Sequence, residues 1–154
     1  MQMPRPTDAH KKLERLVGHW TGNESIAPSP MDPQGGPATG RVHNRAALDG
    51  FAVIQDYEQE RNGKVTFRGH GVFRFDSMQN DYVMHWFDSF GFPPSDYRGQ
   101  FHGDVLTLIA AIPMGQSRAT FDLSTPNKYT FKMDVSQDGQ TWHPFMQGHY
   151  TRKD

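Results

Sequence analysis

The chain has 154 residues, enough for one domain with a sizeable core. Its 16 basic and 17 acidic residues are interspersed and leave a formal net charge of −1, so it offers neither a basic footprint for nucleic acid nor a polybasic membrane patch. The absence of cysteine removes disulfides, thiolate chemistry and cysteine-ligated zinc.

The opening MQMPRPTDAH lacks the apolar h-region of a secretory signal. No stretch approaches the roughly 18 apolar residues of a membrane span. A cytoplasmic location is therefore the default expectation. Fifteen Gly, eleven Pro and 12% aromatics, in short apolar runs, predict β structure with many turns over residues 1–154.

One helix is expected, near the start. Thr7 or Asp8 can cap it, since a short side-chain oxygen accepts from the free amides of a first turn. His10, Leu13, Leu16 and Val17 recur at helical spacing, and Gly18 stops the run. So short a helix must lie against something to persist. GHWTGNES reads as a first strand, and APSPMDPQGGPATG as a mobile loop at one end of the domain.

From Gly40 on, strands alternate with tight turns at Asp49-Gly50, Asn62-Gly63, 77–81, Gly103-Asp104, Met114-Gly115, Pro126-Asn127 and Asp138-Gly139. Asn-Gly and Asp-Gly favour two-residue hairpins because both positions need positive φ. No stretch is long enough for a parallel crossover. The pattern predicts an antiparallel meander of about ten strands, closed into a barrel so that no edge is exposed.

The tight turns fix registers. A two-residue loop at Asp49-Gly50 sets Asn44 against Gln55 and Val42 against Tyr57 on the apolar, inward face. The same loop sets Arg41 against Glu58 and His43 against Asp56 outside, where exposed opposite charges belong. At Asn62-Gly63 the same rule sets Gln55 against His70, Tyr57 against Arg68 and Val53 against Val72. His70 and Arg68 then join Asn44 and Gln55 inside, as a polar cavity wall or a structural network. A bulge at Gly69 or Gly71 would swap these faces, and Phe67, Phe73 and Phe75 on the outer side keep that alternative open.

On the next strand, one loop parity places His85 and Phe87 inside, and the other places Met84, Trp86 and Asp88 inside. In the second case Asp88 can face and orient His70. Phe90-Gly91-Phe92-Pro93-Pro94 is stiff and apolar, either a rim over a barrel mouth or a packed loop. Across Asp138-Gly139, Val135 faces Trp142, Met133 faces Pro144 and Phe131 faces Met146. Trp142, Met146, Tyr150 and Arg152 then point inward, and His143 and His149 point outward.

Gly18-His19-Trp20 after a short helix, with Arg152 ending the last strand, resembles the calycin pattern of lipocalins and fatty-acid-binding proteins. That resemblance implies an indole, Trp20, packed under Arg152 at the closed end, an arrangement that cation–π attraction supports. The segments LERLVGHWTG, RAALDGFAVIQDYEQ, GHGVFRFD, YVMHWFDS, YRGQFHGD and DGQTWHPFMQGHYTR resemble the bacterial domain-of-unknown-function family 1579. The family implies an all-β, lipocalin-like, up-and-down barrel with a short N-terminal helix at its closed end, and supplies no activity. The neighbouring nitrobindins, similar in architecture only, imply haem held through a histidine.

The leading functional expectation is a small apolar or amphipathic ligand inside the barrel. Its contacts would come from His70, Gln55, Arg68, Asn44, Tyr57, His85, Trp86 and Asp88, since such pockets are mostly apolar with a few convergent polar groups. The alternatives are haem on His70 or His85, proton transfer by a His70–Asp88 pair, and a filled barrel acting through self-association, which leaves a homodimer open. No metal site or catalytic residue is expected from a recognisable motif.

Overall fold

Residues 1–153 are described in a computed structural model. A short helix α1 (Asp8–Lys11) runs into a 3-10 turn over Lys12–Leu16. Thr7 caps it: the Thr7 amide donates to His10 Nδ1 at 2.9 Å. The helix is shorter than the periodicity suggests, but the predicted face holds. His10, Leu13 and Leu16 are buried against the barrel, while Val17 is already extended.

Ten strands follow: β1 (Gly18–Ile26), β2 (Gly36–Ala47), β3 (Ala52–Arg61), β4 (Lys64–Asp76), β5 (Asp81–Asp88), β6 (Ser95–His102), β7 (Val105–Ile112), β8 (Gly115–Asp122), β9 (Lys128–Ser136) and β10 (His143–Arg152). Each pairs antiparallel with its sequence neighbours, and β1 pairs with β10, so the sheet closes into a barrel with no free edge. Strand β2 begins at Gly36, so part of the Pro/Gly-rich stretch joins the ladder. No helix among the described residues is long and apolar enough to cross a membrane.

The first hairpin register agrees with the sequence reading. Arg41 lies opposite Glu58, His43 opposite Asp56, and Asn44 opposite Gln55. The turn itself is longer than two residues, with Ala47 paired to Ala52, but its even length preserves the faces.

The second hairpin corrects the reading. Asn62-Gly63 makes the expected tight turn, with both φ values positive (53° and 79°). A bulge then intervenes: Glu60 faces Val65, but Gln59 faces Phe67, and Thr66 is left over. The extra residue flips every later side chain of β4. Gln55 therefore faces Gly71, Tyr57 faces Gly69 and Val53 faces Phe73. The gain is apolar burial: Phe73 is 1% exposed, and enclosing such a side chain is worth about 1.5–3 kcal/mol. Gly69 serves a different purpose from the bulge expected there. A Cβ on it would lie 2.2 Å from the Trp86 indole, so its bareness makes room for that ring.

At the helix end the interior is packed solid. Leu13 and Leu16 plug it, above Phe73, Leu106, Leu108 and Phe121, all at most 3% exposed. Trp20 is 2% exposed, its Nε1 donates to Leu16 O at 2.9 Å, and the Arg152 guanidinium lies 4.3 Å over its ring. Arg152 also donates to Val17 O, tying the last strand to the end of the 3-10 turn.

Candidate functional site

The candidate site is the opposite half of the barrel, where the loops β1–β2, β3–β4, β5–β6, β7–β8 and β9–β10 surround a mouth. Strand alternation carries Glu24, Tyr57, Gln59, Trp86, Asp88, Phe131, Met133 and Met146 inward here. Trp86, Asp88, Phe67, Phe131, Met133 and Met146 remain partly exposed although they face the interior. Mouth loops present Met31 (70% exposed), Phe90 (53%), Phe92 (62%) and Met114 (75%). Phe90 packs on Phe67 at 4.8 Å and lies 6.2 Å from Phe92, an aromatic rim running into the barrel.

A polar cluster sits deeper. Glu24 is 4% exposed, and its carboxylate accepts from Tyr57 Oη at 2.8 and 2.9 Å, from Gln59 Nε2 at 3.1 Å and from Tyr150 Oη. Gly40 leaves space for it, since a Cβ there would lie 2.2 Å from Glu24 Oε2. Burial raises the Glu24 carboxyl above its ordinary range, against the pull of three donors that favour the charge. Burial, with the Glu24 charge next, pushes the Tyr57 and Tyr150 phenols far above theirs. Both tyrosines are thus fixed as neutral donors. Gln59 Nε2 also reaches Met146 Sδ at 3.4 Å.

Between this cluster and the plugged end lie Asn44 and Gln55, directly opposite each other on β2 and β3. Asn44 Nδ2 donates to Leu16 O at 2.8 Å, but its Oδ1 is buried with no partner among the described residues. Gln55 is 6% exposed and its amide makes no hydrogen bond among the described residues. A fully buried acceptor left in the state of Asn44 Oδ1 costs about 1–3 kcal/mol.

Of the eight side chains the sequence proposed for a ligand, the structure brings five inward: Asn44, Gln55, Tyr57, Trp86 and Asp88. Trp86 Nε1 donates to Asp88 Oδ2 at 2.9 Å, and Asp88 Oδ1 accepts from the Phe90 amide at 3.0 Å, so Asp88 orients the indole and the rim loop.

The other three lie outside, because the Thr66 bulge reverses the parity of β4. His70 is exposed and its Nδ1 meets Asp56 Oδ1 at 2.8 Å, not Gln55 or Asp88. Arg68 is exposed beside Glu58 at 3.6 Å. His85 lies between Arg74 and Asp96 on the outer face, with Arg74 Nε donating to its Nε2 at 2.9 Å and its Nδ1 2.7 Å from Asp96 Oδ1. The histidines considered as haem ligands, and the His70–Asp88 pair considered for proton transfer, therefore do not meet inside the barrel.

Trp142 also departs from expectation. A longer β9–β10 loop and a bulge between Pro144 and Met146 set Met133 against Met146. Trp142 instead lies under Arg118, 4.3 Å away, beside the Arg118–Asp134 ion pair.

Sequence reasoning missed Glu24 and Gln59 as interior polar groups. Parity could have found Glu24, since it shares a strand face with Trp20 two positions on either side of Gly22. Gln59 follows from Tyr57 in the same way.

The family model described as "Protein of unknown function (DUF1579)" matches residues 5–152. Among solved structures, the crystal structure of Rv2717c from M. tuberculosis is similar with a TM-score of 0.73 and 14% identity, over 96% of this chain and 99% of that one. An S-type phycobiliprotein lyase, CPES, from Guillardia theta is similar with a TM-score of 0.63 and 12% identity, over 97% and 99%. At these identities the likeness is one of fold. No curated protein matches.

Proposed function

This chain belongs to the DUF1579 family, and we propose that it binds a small, largely apolar molecule through the barrel mouth. One end of that molecule would carry hydrogen-bonding groups. The observation that carries this reading is Asn44, whose buried Oδ1 has no partner among the described residues, with Gln55 directly opposite it on β3. Such groups are tolerated where a bound molecule or ordered water completes them. The mouth supports the same reading, because Trp86, Phe131 and Met133 face inward there yet remain partly exposed beside the Phe90–Phe92 rim. Apolar walls would supply affinity and a few polar groups orientation, as in small-molecule sites generally. Glu24, already bonded to three donors, would hold Tyr57 and Gln59 in place.

The test uses anilinonaphthalene sulfonate as a fluorescent apolar probe, with Trp86 as a resonance-transfer donor. The expected result is saturable probe binding that Trp86→Ala weakens about tenfold or more, about 1.4 kcal/mol. Gln55→Leu should leave the protein as stable as before or more so, because it removes an unmatched group. Probe binding that is unaffected by Trp86→Ala would place the probe elsewhere and refute an interior site.

A further inference from the structure

The outer faces of β1–β5 form a groove of about 710 Å³ that the barrel reading leaves unused. One row of outward side chains crosses five strands in direct register: His19, His43, Asp56, His70 and Phe87. The His19 and His43 rings are stacked, with centroids 4.0 Å apart and planes 12° from parallel. The next row carries Arg41, Glu58 and Arg68.

We propose that this groove is a proton-linked binding site for a small molecule bearing a tetrahedral oxyanion, a phosphate or sulfate ester. The chemistry is a count of charges facing one concavity. Arg41 and Arg68 are permanent cations, and three imidazoles line the same concavity, histidine being the residue type suited to a charge change between about pH 5 and 8. Facing them are Asp56 and Glu58, and Asp88 borders the groove although its carboxylate turns inward to the Trp86 indole. Asp56 is engaged by His70 at 2.8 Å, Asp88 by the Trp86 indole at 2.9 Å, and Glu58 by Arg68 at 3.6 Å. Arg41 is drawn to Glu60 at 2.5 Å, outside the groove lining.

Protonating both rings of the stacked pair puts like charges face to face. An anion seated over His19 and His43 relieves that repulsion. Anion binding and proton uptake therefore favour each other, and the linkage must be reciprocal. Phe87 and the imidazole faces would border the ester's remaining group, and the exposed position admits it from solvent.

Sulfate is the probe, because it stays a dianion throughout the range, so any pH dependence belongs to the protein. Imidazole shifts are followed by NMR during sulfate titration at pH 5.5, 6.5 and 8.0 and constant ionic strength. The expected result is saturable shifts at His19, His43 and His70, with binding about tenfold tighter at pH 5.5 than at pH 8.0, within the usual range of linked effects. The double variant His19→Gln/His43→Gln should bind weakly at every pH, its fold verified by a thermal melt. Arg68→Gln, which spares the stacked pair, should weaken binding and keep the pH dependence. The proposal fails if exposed His102, outside the groove, shifts as much as the groove histidines. It also fails if affinity is the same at all three pH values, or if Zn²⁺ shifts these histidines while sulfate does not.

Discussion

The two halves of the barrel are made by the same ten strands and filled in different ways. At the helix end the side chains facing inward are mostly apolar and enclosed. Trp20 Nε1 and Asn44 Nδ2 both donate to Leu16 O, and Arg152 lies over the indole, which leaves Asn44 Oδ1 as the one buried side-chain polar atom without a partner among the described residues. At the mouth the inward side chains include a buried carboxylate, two phenols and a glutamine, beside half-buried Trp86, Phe131 and Met133. Exposed apolar side chains occur at both ends, since Leu48 and Met78 are exposed near the helix end. Those stand singly, which is ordinary for a protein surface. Phe90 and Phe92 instead lie together, 6.2 Å apart and tilted, on the mouth loop. The difference teaches that closure of the fold and capacity for a ligand are carried by separate residues, and substitutions should separate them.

The largest effect should come from Trp20→Ala. Removing an indole 2% exposed, together with the platform for Arg152, is expected to cost about 3–5 kcal/mol in a denaturant melt. Trp86→Ala, at the half-buried mouth, should cost clearly less and act mainly on ligand. Equal losses for the two would mean that the mouth is as much a part of the packed core as the plugged end.

A middle-sized effect is expected at Glu24, and its sign depends on pH. Burial raises this carboxyl in the folded state above its ordinary 4.5, so the folded protein holds the proton longer than the unfolded chain does. The stabilisation from that proton is complete below about pH 4.5 and is lost as pH rises through the folded value. Glu24→Gln cannot ionise. It should cost at most about 1–3 kcal/mol at pH 4, from its altered hydrogen bonds, and the deficit should shrink as pH rises to 8. Asp32, Asp76, Asp122 and Asp138 move the other way, their carboxyls held low mainly by Arg61 for Asp32, by backbone amides for Asp76 and Asp138, and by the Ser124 hydroxyl for Asp122. Their contribution falls on acidification in both proteins and cancels from the difference. A gap in melting temperature that is flat from pH 4 to 8 would show that Glu24 is not desolvated as described.

Much of this contrast was legible from residues alone, for reasons that are local. Strand count and closure follow from turn chemistry: Asn62-Gly63 adopts the positive φ values its residues favour. Trp20 and Arg152 followed from a resemblance with a physical basis. The polar lining was only half legible. Asn44, Gln55 and Tyr57 came from one even-length turn, but His70 and Arg68 required the register to survive past Thr66. A one-residue bulge has no residue signature at Thr66. What selects it is distant packing, the burial of Phe73 against Phe121 at 5.5 Å, which no window of β4 contains. The aromatic content of the odd positions was the available clue, and it outweighs the turn rule.

The smallest effect tests the boundary between inside and outside. His70 is a position where the two readings of β4 give opposite outcomes. Had it faced Gln55 within the barrel, its removal would strand a buried amide and disturb whatever the interior holds. In the structure its side chain is 46% exposed and that of its partner Asp56 is 62% exposed. Water and salt screen such a pair, and the measured worth of exposed ion pairs is about 0–1 kcal/mol. His70→Ala should therefore change the melting midpoint very little and leave anilinonaphthalene sulfonate binding in the barrel unaltered. Asp56→Asn should behave the same way, and combining the two should add nothing beyond the single changes, because the lost contact is shared. A loss of several kcal/mol, or a weakened probe, would mean that the imidazole turns inward and that β4 lacks the bulge. The small expected change thus has the strictest bearing on register, since it holds only if every side chain beyond Thr66 has exchanged faces.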